Sequence, residues 1–341
     1  MRKASSPVAV SANSIAPRAI LLVKTSSLGD VEHKLPVVSD LRSIFPEVAI
    51  DWVVEEELTE IPRLHPAVRR VIPVALRRWR KALLAASSWR EIAAFRRELQ
   101  AESYDVVLDT QGLIKSGLIV RQARLAEHGR RCGYVAEAAR EPLAARFYAA
   151  AYAIPKNLHA VERNRWLAAA AFGYVTDMPL NYGIGGLPVQ RPEWLPDGAY
   201  AVLVTATSRA DKLWPEASWL KLAAFLAARD LSCVLPAGTA AERQRAARLV
   251  NEISRGMLAA PLGITEFAGL CGGARLVVGV DTGLTHLAAA LEGPTMALFS
   301  GSDPRLTGVH AGETARVRNL GAPGAPPTAG QAIAAAAELL G

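Results

Sequence analysis

The 341-residue chain has only three cysteines, Cys132, Cys233 and Cys271, far apart and with no Cys-x-x-Cys pair. Neither a disulfide framework nor a thiolate zinc site is indicated, and a reducing cytosol fits best. No Gly-x-Gly-x-x-Gly follows the first strand of either half, which removes the main support for a bound NAD, and the absence of Gly-x-x-x-x-Gly-Lys-Ser/Thr removes a P-loop kinase. No apolar run reaches the roughly 18 residues that span a bilayer, and the Ser-, Ala- and Pro-rich first 18 residues lack the apolar centre of a secretory signal. Any membrane contact is therefore expected from the side. Aromatic residues make up 6% of the chain, too sparse for a base-stacking platform. Acids are missing locally: none lies between Glu60 and Glu91, while that stretch holds Arg63, Arg69, Arg70, Arg77, Arg78, Arg80, Lys81 and Arg90.

The bulk composition is that of a globular protein, with 51% hydrophobic and 21% charged residues, and the length predicts two domains. A net charge of +7 favours an anionic partner. From Ala19 onward short β-branched runs alternate with helical patterns. Strands are expected at Ala19–Val23, Val48–Val54, Val71–Val74 and Val106–Asp109, and again at Ala201–Thr205, Leu231–Leu235, Leu276–Val280 and Thr295–Phe299. Such alternation means parallel sheets covered by helices, an α/β doubly wound architecture in each half. The breakers from Gly183 to Gly198 read as a linker. The expected division is an N-terminal extension over 1–18, disordered, a first Rossmann-like domain over 19–182, the linker over 183–198, a second Rossmann-like domain over 199–322, and over 323–341 a C-terminal helix docking on a domain surface.

Two strand-turn-helix mouths stand out. Val277 to Val280 ends on Asp281 and turns through Thr282 and Gly283 into a helix carrying His286. Unpaired N–H groups and the positive end of the helix dipole would meet there, and Gly283 would let a phosphate approach the backbone. Asp281 reads either as a helix cap with His286 a satisfied side chain, or as a group beside a sugar. At the other end, Ala19–Val23 runs into Lys24-Thr25-Ser26-Ser27-Leu28-Gly29-Asp30. Asp30 reads either as a helix cap or as a general base at a cleft mouth, with Lys24 orienting an anionic acceptor.

Other candidates are weaker alone. Thr207, Ser208 and Lys212, in the loop before Trp214-Pro215, can hold a diphosphate, although hydroxyl residues also commonly cap helices. Glu242 could accept hydrogen bonds from a ribose diol or be a solvated acid near a helix start. The run Arg77-Arg78-Trp79-Arg80-Lys81 suits phosphate contacts, with a lipid headgroup favoured over nucleic acid.

Taken with Asp51–Glu56, Ala139–Leu143 and His159–Arg163, the segments Lys24–Asp30, Arg77–Lys81, Lys212–Pro215 and Val280–Leu287 make the chain resemble glycosyltransferase family 9 from about residue 19 to 310. Within that family it is most similar to the enzymes that add the first heptose of the lipopolysaccharide core. The resemblance implies a GT-B fold, two Rossmann-like domains facing a central cleft, and a peripheral enzyme at the cytoplasmic face of the inner membrane. It implies a metal-independent, inverting transfer of heptose from ADP-heptose to a Kdo sugar of Kdo2-lipid A, with no cofactor. Asp30 would be the catalytic base. Thr207, Ser208, Lys212, Glu242, Leu262, Asp281, Thr282, Gly283 and His286 would bind the donor, with Glu242 on the ribose and Leu262 beside the adenine. Lys24, Ser26, Gly29, Arg77, Arg78, Lys81, Arg140 and Arg163 would bind the acceptor. The alternatives are a family member that acts on the next heptose or another nucleotide sugar, and a noncatalytic ADP- or lipid-binding protein. Two positions depart from the family's pattern. Glu32 stands where an apolar residue is usual, and is expected either to raise the pKa of Asp30, to cost stability if buried, or to face solvent. Ser208 replaces a common Thr and keeps the hydroxyl.

Overall fold

Segments such as Ala-Ile-Leu-Leu-Val at 19–23 and Leu-Val-Val-Gly-Val at 276–280 are apolar at every position, and every residue in them is buried. Only a strand covered on both faces uses such a sequence, which is the condition of a parallel sheet between helices. The computed structural model describes residues 16–186, 192–195, 197–312 and 316–341. Residues 1–15 of the expected extension and 187–191 and 196 of the expected linker lie outside the described residues.

The chain divides into two compact units, Met1–Gly183 and Ile184–Gly341. The first contains β1 (Ala19–Val23), α1 (Leu28–Glu32), α2 (Leu35–Ile44), β2 (Ala49–Glu55), α3 (Glu60–Leu64), β3 (Val68–Val74), α4 (Leu76–Lys81), α5 (Ala86–Leu99), β4 (Tyr104–Asp109), α6 (Ile114–Gln122), β5 (Leu125–Tyr134), β6 (Ala150–Tyr152) and α7 (Ala160–Phe172). Its six strands run in the order β3-β2-β1-β4-β5-β6, each pair parallel.

The second unit contains β7 (Tyr200–Val204), α8 (Glu216–Ala227), β8 (Ser232–Leu235), α9 (Ala240–Glu252), β9 (Gly256–Leu258), α10 (Ile264–Gly272), β10 (Leu276–Val280), α11 (Gly283–Ala290), β11 (Thr295–Phe299), α12 (Pro304–Thr307), β12 (Val317–Gly321) and α13 (Ala329–Leu340). Its parallel sheet is ordered β12-β11-β10-β7-β8-β9. Read from the other edge, that is the same doubly wound order as the first. Each sheet therefore has one switch point, where successive crossovers leave in opposite directions: between β1 and β4 in one unit, between β7 and β10 in the other. Ligands of such sheets bind outside the strand ends at that point.

The α13 face Ala332, Ala335, Ala336 and Leu339 is part of the second unit's own core, with Trp214, Trp219 and Leu222. Among the described residues no helix is long and apolar enough to cross a membrane. Four strands were not anticipated, β5, β6, β9 and β12. They are short or polar: β5 carries Glu127, His128, Arg130 and Arg131, and β9 has three residues.

Two polar clusters brace the first unit. Asp51 is buried, accepts two hydrogen bonds from Arg69 at 2.9 and 2.8 Å and a third from the Tyr104 hydroxyl at 2.8 Å. His65 is buried, and its Nδ1 accepts the Ala67 N–H at 3.1 Å. The neutral ring must then carry its proton on Nε2 and donate to Ser39 Oγ at 2.9 Å. Burial, with the Arg42 charge, lowers the His65 pKa from 6.5 to about 4. The unfolded chain binds the proton that the folded chain refuses, so stability is lost as pH falls from 6.5 towards 4, by up to about 3 kcal/mol. Thermal unfolding at pH 7 and pH 5 is expected to show this loss in the wild type and a smaller one in His65→Gln.

Candidate active site

In the first unit β1 delivers Lys24, Thr25 and Ser26 to the switch point, where all three are buried. Gln111 pins this loop: its side-chain oxygen accepts the Thr25 N–H at 3.1 Å, and its amide donates to the Ser26 carbonyl at 2.7 Å. Gln111 is itself placed by Asp109, the last residue of β4, which accepts the Gln111 N–H at 2.7 Å, the Gly112 N–H at 3.2 Å and the Tyr148 hydroxyl at 2.7 Å. Gly112 has φ +65°, which only glycine adopts without strain.

Asp30 lies in α1, a helix of five residues whose first turn it closes by accepting the Ser27 N–H at 3.1 Å. It is thus a helix cap in part, but its carboxylate also faces two cations. Lys24 Nζ lies 3.4 Å from Oδ1 and Arg140 3.4 Å from Oδ2. Burial disfavours its charge, yet Lys24, Arg140 and the Ser27 N–H outweigh that, holding the carboxyl well below the usual range. Lys24 is lowered by its own burial, only partly offset by Asp30.

Glu32 does not face solvent. It is fully buried, its two carboxylate oxygens have no hydrogen-bond partner among the described residues, and burial pushes its pKa well up. The leading influences on Asp30 are its burial, which opposes ionisation, and Lys24, Arg140, the Ser27 N–H and His33, which favour it and leave its carboxyl lowered, so any push from Glu32 does not prevail.

The other acceptor candidates are placed unevenly. Ser26 Oγ accepts from Lys115 Nζ at 3.4 Å. Gly29 lies in α1 next to Asp30. Arg163 donates to the Ala138 carbonyl at 3.0 Å and lies over the Tyr134 ring at 5.1 Å. Burial is the main cause that raises the Tyr134 phenol, with Arg163, Asp109, Arg140 and Asp30 among the charges that act on it. The basic run lies in α4, where the Arg77 N–H, in the first turn, donates to Glu55 Oε1 at 2.8 Å. The acid-free stretch of sequence is not acid-free in space. Arg77 pairs with Glu57 at 2.9 Å, and Arg78 with Glu56 at 2.9 Å and with Glu91 at 2.6 Å. Lys81 is exposed, with no ion pair among the described residues.

The second unit has a corresponding centre. Asp281 follows β10, and the N-cap of α11 is Thr282, so capping is not what the Asp281 carboxylate does. It meets Lys212 Nζ at 2.7 Å, His286 Nε2 at 3.4 Å and the Ser302 hydroxyl. Burial opposes its ionisation, but His286, Lys212 and Ser302 outweigh burial and hold the carboxyl below the ordinary range. Thr207 Oγ1 donates to the Asp281 carbonyl at 3.3 Å, and Ser208 follows in the same loop. A Cβ on Gly279 would collide with Thr285 Oγ1, which donates to the Val280 carbonyl at 2.7 Å, so this glycine lets α11 close onto β10.

Trp214 is buried, donates its indole N–H to the Pro327 carbonyl at 2.8 Å and packs edge-on against Trp219 at 5.0 Å. Glu242 completes a capping box at α9, accepting the Gly238 and Thr239 N–H groups at 3.0 and 2.9 Å through Oε2. Leu262 lines a small, largely apolar cavity of about 70 Å³ with Pro236, Ala237, Phe267 and Leu284. Among the described residues no group of three or more His, Cys, Asp or Glu side chains is arranged to hold a metal ion.

Residues that the sequence reading passed over are Asp109, Gln111, Lys115, Tyr148, Glu141 and Ser302. The first two had a signal: Asp109-Thr110-Gln111-Gly112 repeats the strand-carboxylate-glycine-helix pattern of Asp281-Thr282-Gly283. Glu141, which caps α6 by accepting the Ile114 N–H at 2.6 Å, lay within the Ala139–Leu143 segment but was given no role, and Ser302 had no signal.

Comparison with known proteins shows the family to which the chain belongs. Lipopolysaccharide heptosyltransferase 1 of Escherichia coli K12 is 45% identical over 291 residues, covering 85% of this chain and 90% of that protein. The Pseudomonas aeruginosa enzyme of the same name is 44% identical over 297 residues, covering 85% of this chain and 81% of its own. The structure of E. coli heptosyltransferase WaaC with ADP superposes with a TM-score of 0.84 at 40% identity, covering 94% of this chain and 99% of that one. The structure of WaaC with ADP-2-deoxy-2-fluoro heptose does so with a TM-score of 0.80 over 94% and 98%. The fold is thus the α/β GT-B fold of that enzyme. The profile described as glycosyltransferase family 9 (heptosyltransferase) matches residues 92–329, and the chain belongs to that family of enzymes.

Proposed function

We propose that this chain transfers L-glycero-D-manno-heptose from ADP-heptose to a Kdo sugar of Kdo2-lipid A, with inversion and without a metal, in assembly of the lipopolysaccharide inner core. The observation that carries the reading is the ionised Asp30 carboxylate at the first switch point, a base with cations on both oxygens. The similarity to proteins named heptosyltransferase 1, and to a structure holding a fluorinated ADP-heptose, supports the donor.

Asp30 accepts the proton of the attacking Kdo hydroxyl. The oxygen bonds to the anomeric carbon as the bond to the diphosphate breaks, and the electron pair leaves on ADP. Lys212, Thr207, Ser208 and the Thr282 and Gly283 amides at the α11 N-terminus meet that charge. Glu242 offers Oε1 to the ribose, since Oε2 serves the helix cap, and Leu262 lines the slot for adenine. Asp281 and His286 contact the heptose or hold Lys212 towards the diphosphate.

On the acceptor side, Lys24, Arg140 and Arg163, with Arg77, Arg78 and Lys81 on α4, take the carboxylates and phosphates of Kdo2-lipid A, while Ser26 and Gly29 shape the loop. Arg77 and Arg78 exchange their exposed glutamate partners for phosphate, which costs little because solvent screens such surface pairs. The low basicity of Asp30 in the free protein also follows. An acceptor carboxylate that takes over Arg140 and Lys24 removes the charges that depress its pKa, so the base strengthens when the hydroxyl arrives. The enzyme works as a peripheral protein at the cytoplasmic face of the inner membrane.

ADP release with ADP-heptose tests this. Release is expected with Kdo2-lipid A, in the presence of EDTA, and not with lipid A lacking Kdo; equal release with both would overturn the acceptor assignment. Lys212→Met is expected to weaken donor binding about 10- to 100-fold by calorimetry with ADP-heptose, the loss of one or two charge-assisted hydrogen bonds.

A further inference from the structure

Between α4 and α5 the chain turns at Ala82-Leu83-Leu84-Ala85, closed by the Ala85 N–H on the Ala82 carbonyl at 3.0 Å. Turn apices favour Gly, Asn, Asp and Pro. Here the apex is two leucines, Leu83 at 51% exposure and Leu84 at 101%, as open as in an extended chain. Trp89, 60% exposed, donates its indole N–H to the Leu83 carbonyl at 2.9 Å and adds a third large apolar surface. The base is rigid: buried Trp79 packs on Phe95 at 5.8 Å and donates to Glu91 at 2.7 Å.

Cations flank the tip. Arg80, Lys81 and Arg90 are exposed, and Glu91, the acid next to Arg90 in sequence, is already bound by Arg78 and Trp79. Along α5, Trp89, Ala93 and Arg96 share one face by helical spacing, and Gln100 follows at the C-cap. That face ends at an open groove of about 750 Å³ lined by Arg96, Leu118, Arg121 and Arg124 among others, with no acid in its lining.

We propose that Leu83, Leu84 and Trp89 form an apolar tip that inserts into the acyl-headgroup boundary of an anionic bilayer, with Arg80, Arg90 and the other α5 arginines on the headgroup phosphates. An apolar tip inside a basic collar matches both layers of such an interface, whereas nucleic acid would leave the leucines in water. The proposal rests on the reading that the acceptor is lipid-linked, and gives that reading a docking element outside the transfer centre.

The test uses vesicles that carry no acceptor. The three native cysteines are buried, so Leu84→Cys can be labelled selectively with an environment-sensitive fluorophore. The label is expected to shift to the blue with vesicles containing phosphatidylglycerol and far less with phosphatidylcholine alone. In flotation, the double variant Leu83→Ser/Leu84→Ser is expected to partition about tenfold more weakly than the wild type, while turning over an acyl-free, water-soluble Kdo acceptor normally. An unshifted label, equal partitioning of the double variant, or a label that responds to protein concentration instead of vesicles, which would assign the tip to a second copy, each overturns the proposal. Failure of the transfer reading shows separately, as vesicle binding through the leucines without turnover.

Discussion

Asp30→Asn is expected to reduce acceptor-dependent turnover by about 10²- to 10⁴-fold, the usual contribution of a positioned base, while leaving ADP binding within about twofold. The amide keeps the size of the carboxylate and can still accept the Ser27 N–H, so the short helix α1 is retained. What is lost is the group that accepts the proton, together with the charge that Lys24 and Arg140 now share. In the wild type the depressed pKa puts the acid limb of kcat/KM below the ordinary carboxylate range. If acceptor binding draws Lys24 and Arg140 away, the acid limb of kcat lies at higher pH than that of kcat/KM. A variant that retains wild-type turnover, or a kcat limb below that of kcat/KM, would remove Asp30 from the role of base.

The second large effect is on stability. Glu32 and Lys34 are fully buried, and the Glu32 carboxylate oxygens and Lys34 Nζ have no partner among the described residues. Burial raises the Glu32 pKa far above 4.5; it lowers the Lys34 pKa far below 10.5, with Lys24 adding to the effect and Asp109 opposing it. Folded Glu32 keeps a proton that the unfolded chain releases, so stability is lost as pH rises from about 4.5 towards the folded pKa. Folded Lys34 refuses a proton that the unfolded chain binds, so stability is lost as pH falls from 10.5. Near neutral pH both costs are present. Glu32→Leu and Lys34→Met should therefore each stabilise the first unit by about 2 kcal/mol, the cost of one buried polar group without a partner, or a Tm rise of about 4–8 °C. The gain from Glu32→Leu should grow between pH 5 and pH 8 in calorimetry. No gain, or one that shrinks over that range, would mean that Glu32 has a partner when folded.

What was legible in the sequence was whatever depends on a short stretch. The fully apolar strands, the Asp30 and Asp281 turns and the Lys212-Leu213-Trp214-Pro215 loop each carry their signal in consecutive residues, because strand ends and helix starts are local events. The capping box of Thr239 and Glu242 is equally local but was not read, so the sequence allowed Glu242 to be either a ribose ligand or a solvated acid. What could not be read was pairing across the chain. Arg77 and Arg78 lie in an acid-free stretch, yet Glu55 at the end of β2, Glu56 and Glu57 just after it, and Glu91 on α5 come to them through the fold. Glu32 was ambiguous because α1 spans five residues, too few for a periodicity that would tell inside from outside. The strands β5, β6, β9 and β12 are paired by their neighbours more than by their own composition, which is why they left little trace.

The most direct measurement of the account is analysis of the product itself: mass and anomeric configuration after incubation of the chain with ADP-heptose and Kdo2-lipid A. The account predicts one heptosyl unit on a Kdo hydroxyl, with configuration inverted from the donor, and no such product from Asp30→Asn. Retained configuration, or heptose found on the glucosamine backbone, would contradict it.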